Sequence, residues 1–189
     1  MLKSNEQGSQ TRDLIADVAA NKGLDLSSLY FLIVEKNPVM QRTLAEVLRA
    51  LGVRHLRVTG DVDEAFNAHC GYPADIIVTD WSPDLDTLKL VRLIRNDPRS
   101  LDPFVPIIMV SAFTETSQVF DARDRGISDF LAKPYSVPGL YGRIRAAVHR
   151  EERFIRSELY FGPDRRRRVH PHDGDERRRV SPQRTAFQG

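Results

Sequence analysis

Near the C-terminus the chain reads Tyr160-Phe161-Gly162-Pro163-Asp164-Arg165-Arg166-Arg167-Arg168. Twelve residues on it repeats the plan as His172-Asp173-Gly174-Asp175-Glu176-Arg177-Arg178-Arg179. In register, Gly162 meets Gly174, Asp164 meets Glu176, the two Arg rows coincide and Tyr160 falls on His172. The unit is a flat ring, a Gly, an acid and a row of Arg, used twice. A guanidinium is a planar fork that takes the O6/N7 edge of guanine bidentately and stacks on a base. A second Arg can pair with phosphate. The carboxylate of Asp164 or Glu176 accepts from the N1–H and N2–H of guanine, which no Arg can do. Gly162 and Gly174 permit a tight turn or close backbone approach. These residue types point to a planar, anionic, purine-bearing ligand.

Every Lys or Arg from Tyr160 onward is Arg, although Lys occurs earlier. That favours edge reading and stacking over charge neutralisation. The competing reading is a basic tail that holds polyanions by charge alone. An acid ahead of each Arg row weakens it, because a phosphate binder gains from cations only. Upstream, Arg153 and Arg156 lie one helical turn apart; Arg156 is assigned to the ligand site and Arg153 to a solvated face.

A second group of chemistry-bearing residues is spread through the body: Glu35 and Lys36, Asp80, Ser111 and Lys133. Each follows an apolar run, and those runs define the elements that must position them. Tyr30–Val34, Ala74–Thr79 and Val105–Val110 read as buried parallel strands. Leu56–Thr59 is a weaker strand, and Ile127–Ala132 ends at Lys133-Pro134. Helices are expected from Pro38 to Leu51, after the Asp61 cap, over Leu85–Ile94, over Thr114–Arg125 and over Val137–Ile155. A short helix over Thr11–Lys22 precedes them. Strands alternating with helices predict an α/β fold, a doubly wound, flavodoxin-like sheet of five parallel strands. In such a sheet the polar residues at the carboxyl ends of the strands converge in one crevice.

The 189 residues, 41% hydrophobic, suffice for one ordinary core with extensions. Residues 1–28 read as an N-terminal extension, 29–150 as the body and 151–189 as an Arg-rich tail without structure until ligand binds. From Tyr160 to the end the chain carries a net charge of +4, and the remainder −2. No apolar run is long enough to span a bilayer and no signal peptide is apparent, so membrane insertion is not expected. The single Cys70 forms no internal disulfide, and a cytoplasmic location is the simple expectation.

The motifs Val34-Glu35-Lys36, Asp80-Trp81-Ser82-Pro83, Val110-Ser111-Ala112 and Lys133-Pro134 together resemble the receiver domain of bacterial response regulators, over roughly Leu29 to Arg150. The resemblance implies Asp80 as phosphoryl acceptor, Ser111 as the hydroxyl that follows the phosphate, Lys133 as its Lys partner and Phe130 at an aromatic switch position. It also implies a histidine kinase as a partner. The family holds Mg²⁺ with an acid pair, but here Glu35 is followed by Lys36. An ammonium is no ligand for a hard cation and repels it. The Mg²⁺ site at Glu35, Lys36 and Asp80 is therefore read as degenerate, with Lys36 free to pair with Asp80. If Lys36 instead turns to solvent, Asp80 keeps its phosphoryl chemistry. The loop after Asp80 is one residue short, and Thr87 replaces the usual Gly, so a reshaped loop is expected.

A receiver followed by an Arg-rich repeat is similar to the CheY-like cyclic-di-GMP effectors. That likeness rests on Tyr160-x-Gly162-x-Asp164-Arg165-Arg166-Arg167 and on Gly174-x-Glu176-Arg177-Arg178-Arg179. It implies cyclic di-GMP as ligand and the flagellar motor switch protein as partner. Ligand is then expected to fold the tail onto the face made by the fourth strand, the fifth strand and the last helix. The alternative is a phosphorylation-driven regulator whose basic tail binds a protein or nucleic acid, nucleic acid being the less favoured. No constellation of nucleophile and base lies outside the receiver set, so an enzyme is not expected.

Overall fold

A computed structural model describes residues 24–82, 84–112, 126–149, 154–156 and 160–164. Five strands, β1 (Tyr30–Val34), β2 (His55–Thr59), β3 (Ile76–Asp80), β4 (Ile107–Ser111) and β5 (Asp129–Ala132), form one parallel sheet in the order β2-β1-β3-β4-β5. Among the described residues the helices are α1 (Pro38–Ala50), α2 (Val62–Gly71), α3 (Thr87–Asn96) and α4 (Val137–His149). β3 and β4 are buried along their whole length, as the unbroken apolar runs IIVTD and IIMVS require. The edge strand β2 alternates between more and less exposed positions instead.

Because side chains alternate across a strand, the central runs feed two cores. Phe31, Ile33, Ile76, Val78, Ile108 and Val110 pack with Leu44 and Leu48 of α1 and Leu140 and Ile144 of α4. Leu32, Val34, Ile77, Ile107 and Met109 pack with Ala65 and Phe66 of α2 and Leu90, Val91 and Ile94 of α3. Leu26 is also buried in the first of these cores, so the packed body begins before Leu29.

Short polar side chains start the helices. Asn37 accepts from the N–H groups of Val39 and Met40, Asp61 from Glu64 and Asp86 from Lys89. Each such cap stabilises its helix by about 1 kcal/mol. The Asp86 cap moves the start of α3 from the expected Leu85 to Thr87, and Leu85 instead bridges to Ser82 in the preceding turn.

The largest departure from expectation is at the end of the body. The last helix is described as far as His149, and Phe154–Arg156 (β6) pairs antiparallel with Phe161–Pro163 (β7). Phe154 and Ile155 thus belong to a strand, one half-buried and the other exposed. The expected helices over Thr11–Lys22 and Thr114–Arg125 lie outside the described residues.

Candidate functional site

The carboxyl ends of β1, β3 and β5 bring three of the expected residues into direct contact. Lys133 Nζ donates to Asp80 Oδ1 at 2.8 Å and to Glu35 Oε2 at 3.0 Å. The other Glu35 oxygen accepts the N–H of Asn37 at 2.9 Å. Glu35 and Asp80 are buried, and the Lys133 side chain keeps only 19% of its exposure. One ammonium therefore joins two acids that would otherwise repel in a poorly hydrated crevice. Burial alone would pull the Lys133 pKa down. Hydrogen bonds and charge from Asp80 and Glu35 outweigh it and hold the group above the ordinary lysine value. The peptide bond between Lys133 and Pro134 is cis.

Ser111, at the end of β4, donates its hydroxyl to the Trp81 carbonyl at 3.0 Å, and Trp81 N–H donates to the Val110 carbonyl. The hydroxyl thus bonds to the residue next to Asp80. Lys36 does not join Asp80. Its ammonium donates to the Asp84 carbonyl at 3.1 Å and is exposed.

Thr87 supplies what sequence reasoning missed. It is buried at the first turn of α3, its hydroxyl donates to the Asp80 carbonyl, and it lies 3.4 Å from the Thr79 hydroxyl. The side chain that stands in place of the expected Gly braces β3 against α3. Gln41 Nε2 donates to the Glu35 carbonyl in the same way from α1. The only signal available was Thr87 as an exception to the expected Gly. Tyr135 stands close enough to feel the charges of Lys133, Glu35 and Asp80; burial pushes its phenol pKa up, against the pull of Lys133. Phe130 is partly buried against the α2/α3 core. Among the described residues no cluster of three or more His, Cys, Asp and Glu side chains is placed to hold a metal ion.

Of the tail residues, Arg156 takes its place in β6 opposite Phe161, and Tyr160, Gly162 and Asp164 lie in or beside β7. Tyr160 donates its hydroxyl to the Pro163 carbonyl at 2.8 Å. Phe154 and Phe161 meet Phe104 edge-on, with ring centroids 5.1 and 5.5 Å away. Arg95, fully buried in the last turn of α3, places its guanidinium 5.3 Å from the Phe154 ring centre. It also donates to the carbonyls of Gly126 and Pro103. The hairpin therefore docks beside the end of α3 and the approaches to β4 and β5. This is the amino end of the sheet; the ligand-driven folding expected on β4, β5 and the last helix concerns the Arg rows, which lie outside the described residues. Aromatic burial decides where the hairpin docks: Phe104 offers an apolar platform there. Arg165, Arg166, Arg167, Arg168, Gly174, Glu176, Arg177, Arg178 and Arg179 lie outside the described residues.

Among the described residues, no helix is long and apolar enough to cross a membrane. Comparison with known proteins agrees with the geometry. Chemotaxis protein CheY of Pseudomonas aeruginosa is 30% identical over 124 residues, which is 63% of this chain and 95% of that protein. Chemotaxis protein CheY-3 of Vibrio cholerae is 26% identical over 60% of this chain and 86% of its own length. Among solved structures, the receiver domain of the sensor histidine kinase PA1611 of Pseudomonas aeruginosa superposes with a TM-score of 0.58 at 28% identity. It covers 65% of this chain and 98% of that domain, and was solved with magnesium in its active-site cleft. A profile of the response regulator receiver domain matches residues 31–145. With its five-stranded sheet and the Glu35–Lys133–Asp80 contact, the chain belongs to the response regulator receiver domain family and is CheY-like.

Proposed function

We propose that this CheY-like receiver takes cyclic di-GMP as its input, through the two Arg rows of the tail, and passes the signal to a motility or surface-attachment partner such as the flagellar motor switch protein. The observation that carries the reading is the duplicated cassette itself, Gly162-x-Asp164-Arg165-Arg166-Arg167 and Gly174-x-Glu176-Arg177-Arg178-Arg179. The ligand has two guanines and two phosphates, and each cassette has one guanine-reading acid and several phosphate-pairing cations. The chemotaxis names of two relatives support a motility partner.

Phosphate is the lesser input in this reading. Glu35 is committed to Asn37 and Lys133, and the neighbouring position carries the Lys36 ammonium. That donor set does not suit Mg²⁺, which asks for hard oxygen ligands in a near-octahedral array. The rival reading, a kinase-driven regulator, draws on the Asp80–Lys133 contact and the nearby Ser111 hydroxyl.

Calorimetry separates them. The intact chain should bind cyclic di-GMP, and a chain ending at Asp164 should not. Equal binding by the shortened chain would move the site into the body. Incubation with acetyl phosphate and Mg²⁺ tests the rival. Stoichiometric labelling that disappears in Asp80→Asn would reinstate phosphate as the input.

A further inference from the structure

Gly126 and Gly162 touch where no side chain fits. A Cβ on Gly162 would stand 2.7 Å from Gly126 Cα and 2.6 Å from the Tyr160 hydroxyl. A Cβ on Gly126 would stand 2.8 Å from the Phe161 carbonyl, and Gly126 has φ +101°, a region that disfavours L side chains. Tyr160 can swing aside, but the Gly126 backbone cannot. Around this contact, Arg95 donates to the Gly126 carbonyl while its guanidinium faces Phe154. Arg95 thus holds the hairpin and the Gly126 turn together.

Gly126 leads directly into β5. Ile127 is fully buried, Ser128 N–H donates to the Ile107 carbonyl, and Ile107 N–H donates to the Ser128 hydroxyl. At the other end of β5, Lys133 N–H donates to the Ser111 carbonyl and Lys133 Nζ holds Glu35 and Asp80. One four-residue strand therefore joins the hairpin dock to the crevice.

We infer that the paired strands Phe154–Arg156 and Phe161–Pro163 are a strap locked to the body at Gly126, and that it couples the tail to the crevice along β5. Tyr160, Gly162 and Pro163 are then positioning residues of the strap, and ligand reading falls to Asp164 and the Arg rows. The coupling to ligand rests on the proposed function; the strap does not.

The test is hydrogen exchange on the full-length protein and on Gly162→Val, each with and without cyclic di-GMP. Without ligand, Gly162→Val should raise exchange at Ile127–Phe130 about tenfold and leave β1 unchanged, because only the dock is released. Phe161→Ala should do the same by removing the ring from Phe104. Unchanged exchange at Ile127–Phe130 in both variants would overturn the strap. With ligand, the wild type should gain protection from Ile127 through Lys133, and Gly162→Val should bind while losing that gain. Binding by the wild type with no change along β5 would overturn the coupling. A wild type that binds no cyclic di-GMP, with Gly162→Val still loosening Ile127–Phe130, would remove the proposed function and leave the strap.

Discussion

Lys36 sets beside the crevice a charged group that offers no oxygen ligand. Its neighbour Glu35 keeps a carboxylate in the crevice, but the adjoining position offers an ammonium fixed to the Asp84 carbonyl. Replacing that ammonium by a carboxylate should supply a hard oxygen ligand and remove a repelling charge together. Lys36→Asp should therefore bind Mg²⁺ roughly tenfold or more tighter than the parent, as read by calorimetry with MgCl₂. Unchanged Mg²⁺ affinity would mean that the Lys133 bridge, not Lys36, sets the preference. Asp80, Ser111 and Lys133 were legible because each directly follows an apolar run and parallel strands align their ends. The brace from Thr87 was not legible, because its partner is a backbone carbonyl that only the folded loop brings near.

At the scale of elements, α2 carries a polar residue into the core. His69 is fully buried; its Nδ1 accepts from Ala74 N–H at 3.2 Å, and its Nε2 lies 3.0 Å from the Asp102 carbonyl. With Nδ1 accepting, Nε2 must carry the proton, and the ring ties α2 to the loops before β3 and β4. Burial pushes its pKa below the usual 6.5; the Asp102 backbone bond and charge oppose this, and Arg95 reinforces it. The unfolded chain therefore binds a proton below about pH 6.5 that the native protein does not. Stability from this residue is fully present above that pH and declines as pH falls toward the depressed native value. Urea unfolding should show a decline of up to about 1.4 kcal/mol per pH unit in that window, and His69→Gln should flatten it. An identical slope in the variant would exclude His69 as the source. β1 to β5 could be read in advance because buried parallel strands are continuous apolar runs. The hairpin could not: Phe154 and Ile155 extend the apolar pattern of α4, and only the distant Phe104 makes a strand the better use of them.

For the whole molecule, charge is segregated: residues 160–189 carry a net +4 and everything before them a net −2. Such a tail will attract any polyanion, so affinity alone does not identify its ligand. The acids inside the cassettes give the discriminating experiment. Asp164→Ala should weaken cyclic di-GMP while leaving duplex DNA binding equal or tighter, because it removes a guanine acceptor and a negative charge together. Parallel titrations at two salt concentrations would measure this. Equal weakening of both ligands would make Asp164 a fold determinant, not a reader.

The two ends of the sheet also differ in what light can report. The only Trp in the chain, Trp81, lies next to Asp80 and is bonded through its backbone to Val110 and Ser111. Its indole emission therefore surveys the carboxyl end of the strands, while the hairpin dock has Phe and Tyr alone. A quenching or spectral shift on adding a compound would be a signature of the Asp80 crevice. An event at the Gly126 contact reaches that fluorophore only if it travels the length of the sheet.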